Sequence, residues 1–197
     1  DLIIEEYFKD QKNGLYVDAG CYHPLHLSNT FLLYKKGWRG INVDLSEYSI
    51  DLFNYIRPED KNINSAVTYN DGQATFYYQK KISQLTTLKK EISLKRMQGH
   101  IKEKVIDAFS LNTILKKTGF SNKKIDFLNI DIEGADFEAL SSLDFNIHRP
   151  KLICIEIDEK NVIQSKIYKF LANLNYKKKW SSVSNLSHIF IDEKLNF

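Results

Sequence analysis

The sequence predicts an α/β domain on a mostly parallel, twisted sheet with helices on both faces. Three observations predict it. Leu15 to Ala19, Gly40 to Asp44, Ile125 to Ile132 and Leu152 to Ile157 are almost continuously apolar, as strands covered on both faces are. Helical patterns separate them, the signature of a sheet wound with crossover helices. The runs also end in acids or small polar residues, namely Asp18, Asp44, Ser65-Ala66, Asp131 and Glu156. In an open α/β sheet those ends share one rim, where ligands bind.

Composition sets the bounds. The chain has 197 residues, 43% hydrophobic and 27% charged, which suits one domain over 1–197 with a real core. A net charge of +3 is too small to imply nucleic acid. There is no secretory h-region and no apolar run long enough to span a bilayer. Cys21 and Cys154 lie in or beside predicted strands and make no disulfide framework, so reduced thiols and a cytoplasmic setting are expected.

Each element has a local cause. Leu2, Ile3, Tyr7 and Phe8 space residues 2–12 as a short amphipathic helix. Leu15–Ala19 is the first strand. Ser28 is expected to cap a helix of about 28–36, stopped by Gly37. A second strand ends at Asp44; Ser46 then caps a helix of 47–56, which stops before Pro58. Asn62–Val67 reads as a third strand, and Asn70-Asp71-Gly72 as a turn into a strand at Ala74–Tyr78. Residues 80–104, rich in lysine, read as a partly helical, mobile insertion. Val105–Phe109 resumes as a strand, and Leu111–Lys117 as a helix ended by Gly119. The strongest strand, 125–132, precedes a helix of about 135–142. Another strand, 152–157, precedes a helix of roughly 160–174 with Ile163, Ile167, Phe170, Leu171 and Leu174 on one face. Lys177–Val183 and Ser187–Asp192 close the chain as an antiparallel pair.

The rim suggests a nucleoside. Asp18 ends the first strand, and Gly20 allows a sharp turn and close approach of another molecule. Asp44 lies about 20 residues on, where a second-strand acid accepts hydrogen bonds from a ribose. Two acids there poorly hold a pyrophosphate, and Tyr22 and Pro24 replace the later glycines of a G-x-G-x-x-G loop. An NAD(P)-linked oxidoreductase is therefore the weaker alternative. S-adenosylmethionine fits better, because its sulfonium favours an anionic, aromatic-lined rim.

VDAGCYHP, SNTFLLYKKGWRGINVD (Ser28–Asp44), IDFLNIDIEGADFEAL (Ile125–Leu140) and RPKLICIEI (Arg149–Ile157) together resemble the FkbM family of S-adenosylmethionine-dependent methyltransferases, over residues of about 14–158. The resemblance implies a class I methyltransferase (Rossmann-like) fold, O-methylation of a carbohydrate or polyketide-type hydroxyl, and S-adenosyl-L-homocysteine as product. By position it implies cofactor contacts from Asp18, Ala19, Gly20 and Cys21, from Ser28, Asn29 and Thr30, from Asp44 and Leu45, and from Ser65 and Ala66 on the adenine side. Asp131 to Gly134 matches the motif beside the transferred methyl. Asn129 stands where the family often has Lys, and His23-Pro24 is also a departure.

Methyl transfer needs positioning, worth up to roughly 7–11 kcal/mol in model systems, and a base that adds about 10²–10⁴-fold. Candidates are Asp131, Glu133, Glu156, His23 and His26. Glu133 is the first choice for substrate contact, and His23 has the better ordinary pKa. Asp131, Glu133, Glu156 and Asp158 offer oxygen ligands without compact spacing, so no metal is expected. Cys21 and Trp38 read as packing residues. The 80–104 segment is expected to be a lid drawing an anionic acceptor, a nucleotide sugar or phosphorylated glycan; deleting 84–100 would then raise the acceptor KM and spare cofactor affinity. An RNA-modifying methyltransferase using this segment is a further alternative, although its aromatics do not interleave with its lysines. A homo-oligomer is compatible with this reading.

Overall fold

The computed structural model describes residues 2–194. In chain order its elements are α1 (Leu2–Tyr7), β1 (Leu15–Ala19), α2 (Phe31–Lys35), β2 (Arg39–Asp44), α3 (Glu47–Ile56), β3 (Lys61–Asn64), β4 (Ala66–Val67), β5 (Gly72–Tyr78), α4 (Lys90–Arg96), β6 (Lys102–Phe109), α5 (Leu111–Lys117), β7 (Phe127–Ile130), α6 (Asp136–Ser141), β8 (Leu152–Glu156), a 3-10 turn (Val162–Gln164), α7 (Lys166–Asn173), β9 (Tyr176–Ser181) and β10 (Ser187–Asp192).

The main sheet has seven strands in the order β3-β2-β1-β7-β8-β10-β9. Neighbours pair in parallel, except that β10 is antiparallel to both β8 and β9. The expected terminal pair is present, with the reversed strand inserted inside the edge. Strand alternation sorts the side chains into two layers. Val17, Val43, Leu128, Ile130, Ile153 and Ile155 pack with Leu111, Leu115, Ala139 and Leu171 on one face. Tyr16, Phe127, Leu152 and Cys154 pack with Ile4, Phe8, Leu33 and Trp38 on the other. Trp38 is fully buried and meets Phe8 edge-on at 4.8 Å, so it plugs the core as expected. Burying a side chain of this kind contributes roughly 2–3 kcal/mol.

Three expected elements differ. The strand expected over Asn62–Val67 divides at Ser65. Lys61–Asn64 stays beside β2, while Ala66–Val67 pairs with Ala108–Phe109 in a second sheet of order β4-β6-β5. This sheet incorporates the end of the insertion, because β6 starts at Lys102 and its partner β5 is longer than expected. The helix expected over 160–174 starts only at Lys166, where Ser165 Oγ accepts from the Tyr168 N–H and caps it. Ile163 falls in the preceding 3-10 turn and is exposed. Ser46 does cap α3, accepting from the Ser49 N–H, a bond worth about 1 kcal/mol.

Candidate active site

Register places a polar row across the apolar sheet. Asn62, Asn42, Asp18, Asn129 and Cys154 are successive partners on β3, β2, β1, β7 and β8. Asn129 Nδ2 donates to Asp18 Oδ1 at 2.8 Å, and Thr30 Oγ1 donates to Asp18 Oδ2 at 2.8 Å. Asn29 Nδ2 donates to Asn129 Oδ1 at 3.0 Å. Burial pushes the Asp18 pKa up, while Asn129, Thr30 and the charge of Arg57 pull it back.

Arg57 is the cation under this row, and reading the sequence missed it because it registers there only as a helix end before Pro58. It is fully buried. Its guanidinium donates to Thr30 Oγ1 at 2.9 Å, to Ser28 Oγ at 2.9 Å and to the Pro24 carbonyl. The rings of Phe31, Tyr34 and Phe53 surround it. This corrects the expectation for two residues. Ser28 does not cap α2; Thr30 is at the N-cap, and its hydroxyl is spent on Asp18 and Arg57, leaving the helix start without a side-chain cap. Both hydroxyls brace the loop behind the rim, while Asn29 reaches the recess wall.

Two connected recesses open at the rim. One is lined by Gly20, Cys21, Asn29, Asn129, Asp131 and Glu133, among others. The other, open to solvent, has Asp44, Leu45, Ser65, Gln84, Thr86 and Glu133 in its wall. Asp44 Oδ2 accepts from the Tyr22 N–H at 2.9 Å and Oδ1 from the Ser46 N–H at 2.8 Å. Burial still pushes its pKa up to about 6 against those bonds. Ser65 Oγ is buried with no hydrogen-bond partner among the described residues. A buried hydroxyl left unpaired costs about 1–3 kcal/mol, and here it stands in the wall of a cavity that also holds Asp44, the expected ribose-binding acid. The donor set therefore fits a nucleoside. Ala66 and Ala19 are buried strand residues that pair with Ala108 and Val43, so they shape the wall from behind. Burial holds the Cys21 thiol well above its ordinary pKa, and both cysteines are free.

Gly20 makes the sharp turn expected of it and has a second cause as well. Its φ is +83°, and an added Cβ would lie 1.8 Å from the Asp131 carbonyl oxygen. The glycine lets the turn after β1 cross the turn after β7.

The turn after β7 gathers the carboxylates. Side-chain oxygens of Asp131, Glu133 and Glu156 lie within 4.8 Å of one another, a spacing invisible in sequence. Glu133 has a left-handed backbone at φ +56°, which costs roughly 1–3 kcal/mol and is common at functional sites. Its pKa rises to about 7 through burial and then Asp131, with Arg96 opposing. Asp136, which accepts from the Ile132 and Gly134 N–H groups, rises to about 7, mainly through burial. Glu156 rises to about 8 through burial, Asp131, Asp136 and Glu133. Asp131 keeps an exposed edge, yet protein crowds its carboxyl closely enough to raise it, and the Asp18 charge adds to the effect. Three such oxygens are a donor set for a hard cation, but Glu133 is already paired with Arg96.

That pairing comes from the insertion. Arg96 at the end of α4 bridges Glu133 and Asp158, the latter at 2.7 Å. Lys89 pairs with Glu138 at 2.6 Å, and Thr87 Oγ1 donates to the Glu133 carbonyl at 2.7 Å. Ile92 packs where a side chain on Gly134 would sit. The insertion thus clamps the turn. It also walls the recess that holds Asp44 and Ser65, through Ser83, Gln84, Thr86 and Leu88, so it is not confined to the turn after β7. His23 is spent locally, its Nδ1 accepting from the Leu25 and His26 N–H groups, and burial lowers its pKa.

A mostly parallel sheet of this order, closed by an antiparallel strand pair, is consistent with the methyltransferase class of α/β folds. Residues 18–178 match the methyltransferase FkbM domain, most of the chain, and the chain belongs to that family. Neither the curated proteins nor the solved structures contain a match. No helix among the described residues is long and apolar enough to cross a membrane.

Proposed function

We propose that this chain is an S-adenosylmethionine-dependent O-methyltransferase that acts on a carbohydrate hydroxyl. The observation that carries the reading is Glu133. It lines both rim recesses, lies within 4.8 Å of Asp131 and Glu156 in the carboxylate cluster, and has its pKa at about 7, matched to a general base at neutral pH. The bound cofactor supplies an electrophilic methyl on a sulfonium. Asp44, held by two backbone N–H groups on its inner side, accepts from the ribose hydroxyls. Ser65 Oγ gains its missing partner from the adenine edge. Asp131 presents negative charge toward the sulfonium side. Glu133 takes the acceptor hydroxyl proton at its carboxylate, and Arg96 sets how readily it does so. Segment 83–88 forms one wall of the recess through Ser83, Gln84, Thr86 and Leu88.

The first test is calorimetric titration of the full chain with S-adenosylhomocysteine and with NAD. The second is label transfer from methyl-labelled cofactor to a panel of saccharides, nucleotide sugars and RNA. Binding of S-adenosylhomocysteine alone and label on a saccharide are expected. Preference for NAD, or label on RNA only, refutes the proposal.

A further inference from the structure

A further cavity adjoins the carboxylate cluster at Glu156. It opens between α4, α6, the segment after β8 and the start of α7. Glu156 lines it and also belongs to the cluster, and Arg96 lines it while pairing with Glu133. Its apolar floor is formed by Phe137 and the buried Ile157.

Its charge is one-sided. Asp136, Glu138, Glu156, Asp158 and Glu159 face two cations, Arg96 and Lys166. Arg96 is already committed to Glu133 and Asp158, and the nearby Lys89 to Glu138. The insertion is lysine-rich, but the cations it turns toward this side are matched by acids. Glu159 is exposed and has no ion pair among the described residues.

We propose that this cavity holds the part of the acceptor beyond the reacting hydroxyl, which itself lies at Glu133, and that it selects a neutral or amino-bearing saccharide over one carrying carboxylate or phosphate. The inference rests on the carbohydrate reading above and departs from the anionic acceptor expected from the lysine-rich segment. The physical reason is that carboxylates accept hydrogen bonds from sugar hydroxyls and attract an ammonium, whereas an added anion meets like charge. The raised pKa values of Glu133, Asp136 and Glu156 support it. Burial is the first cause of these shifts, and the neighbouring carboxylates that raise Glu156 further would repel an added anion and be relieved by a cation.

The test is methyl transfer to matched sets of saccharides that share a ring and differ in one group, hydroxyl, amine, carboxylate or phosphate, at low salt. The expected result is kcat/KM about tenfold or more higher for the neutral and amino members. Glu159→Lys narrows that ratio several-fold and leaves S-adenosylhomocysteine affinity unchanged, since Glu159 lines neither cofactor recess. A preference for carboxylate or phosphate members, or a ratio that ignores Glu159→Lys, overturns the inference. No transfer to any saccharide with S-adenosylhomocysteine binding intact retires the carbohydrate reading itself, and this inference with it.

Discussion

Arg96→Ala is the sharpest test of the base assigned to Glu133. The groups facing Glu133 are Asp131, Asp136, Glu156 and Asp158, all of which raise or accompany its raised pKa, and Arg96, which lowers it. Both side chains of the Arg96–Glu133 pair are largely covered, at 27% and 16% exposure, so the pair is weakly screened. At contact distance and an effective dielectric of about 20, such a pair is worth roughly 4 kcal/mol. Water entering the vacated space recovers part of this, leaving a rise of about one to two pH units, since one unit is about 1.4 kcal/mol. The sign follows directly: without the guanidinium Glu133 holds its proton more tightly, and a base must be deprotonated to act. The acid limb of kcat/KM therefore moves from near pH 7 toward 8–9. Activity at pH 7 falls about tenfold and returns at high pH. Arg96→Lys keeps the charge and leaves the limb nearly in place. The assay is a pH–rate profile of the three proteins, with thermal denaturation as a folding control. A folded Arg96→Ala enzyme whose limb does not move refutes the role of Glu133 as base.

Other outcomes follow from the same geometry. Ser65→Ala removes an unpaired buried hydroxyl, so the ligand-free protein holds its stability or gains about 1 kcal/mol while S-adenosylhomocysteine binds about five- to tenfold more weakly; denaturation and calorimetry read the two effects separately. Gly20→Ala forces a Cβ onto the Asp131 carbonyl at positive φ and destabilises by about 2–5 kcal/mol in denaturant titration. Asp44, Glu133, Asp136 and Glu156 have folded-state pKa values of about 6, 7, 7 and 8, all above their ordinary range. The folded state thus binds protons that the unfolded chain releases, and the stability this gives at low pH is lost as pH rises through 6–8. The Tm of the ligand-free protein should fall between about pH 5.5 and 8.5, and a rising Tm would contradict the burial of these acids. Deleting 84–100 should weaken both acceptor and cofactor binding, because Gln84, Thr86 and Leu88 line the cofactor recess.

Much of the architecture was legible from local pattern. Continuous apolar runs, helix stops at Pro58 and Gly119, and the cap at Ser46 each act within a few residues, so composition and spacing reveal them. The motif pair around Trp38 and Asp131 to Leu140 likewise pointed to the family by itself. Ser65 shows the limit. Nothing nearby says that the strand leaves one sheet for another there, because the reason is pairing with Ala108 and Phe109 far along the chain. Arg57 and Arg96 were missed for the same cause. Each is a charge in an unremarkable setting whose partners, Ser28 and Thr30 for one, Glu133 and Asp158 for the other, arrive through tertiary contact.

The sequence by itself determined which strands exist, which of them end in acids, and which family the chain resembles. Only the tertiary structure decided that Asp131, Glu133 and Glu156 meet, that Arg96 neutralises part of their charge, and that Gly20 also serves a backbone crossing. The reason is register: β7 and β8 lie side by side, so residues distant in the chain end at one height on the rim. Their electrostatics then depend on burial and on one another, quantities that no spacing along the chain contains.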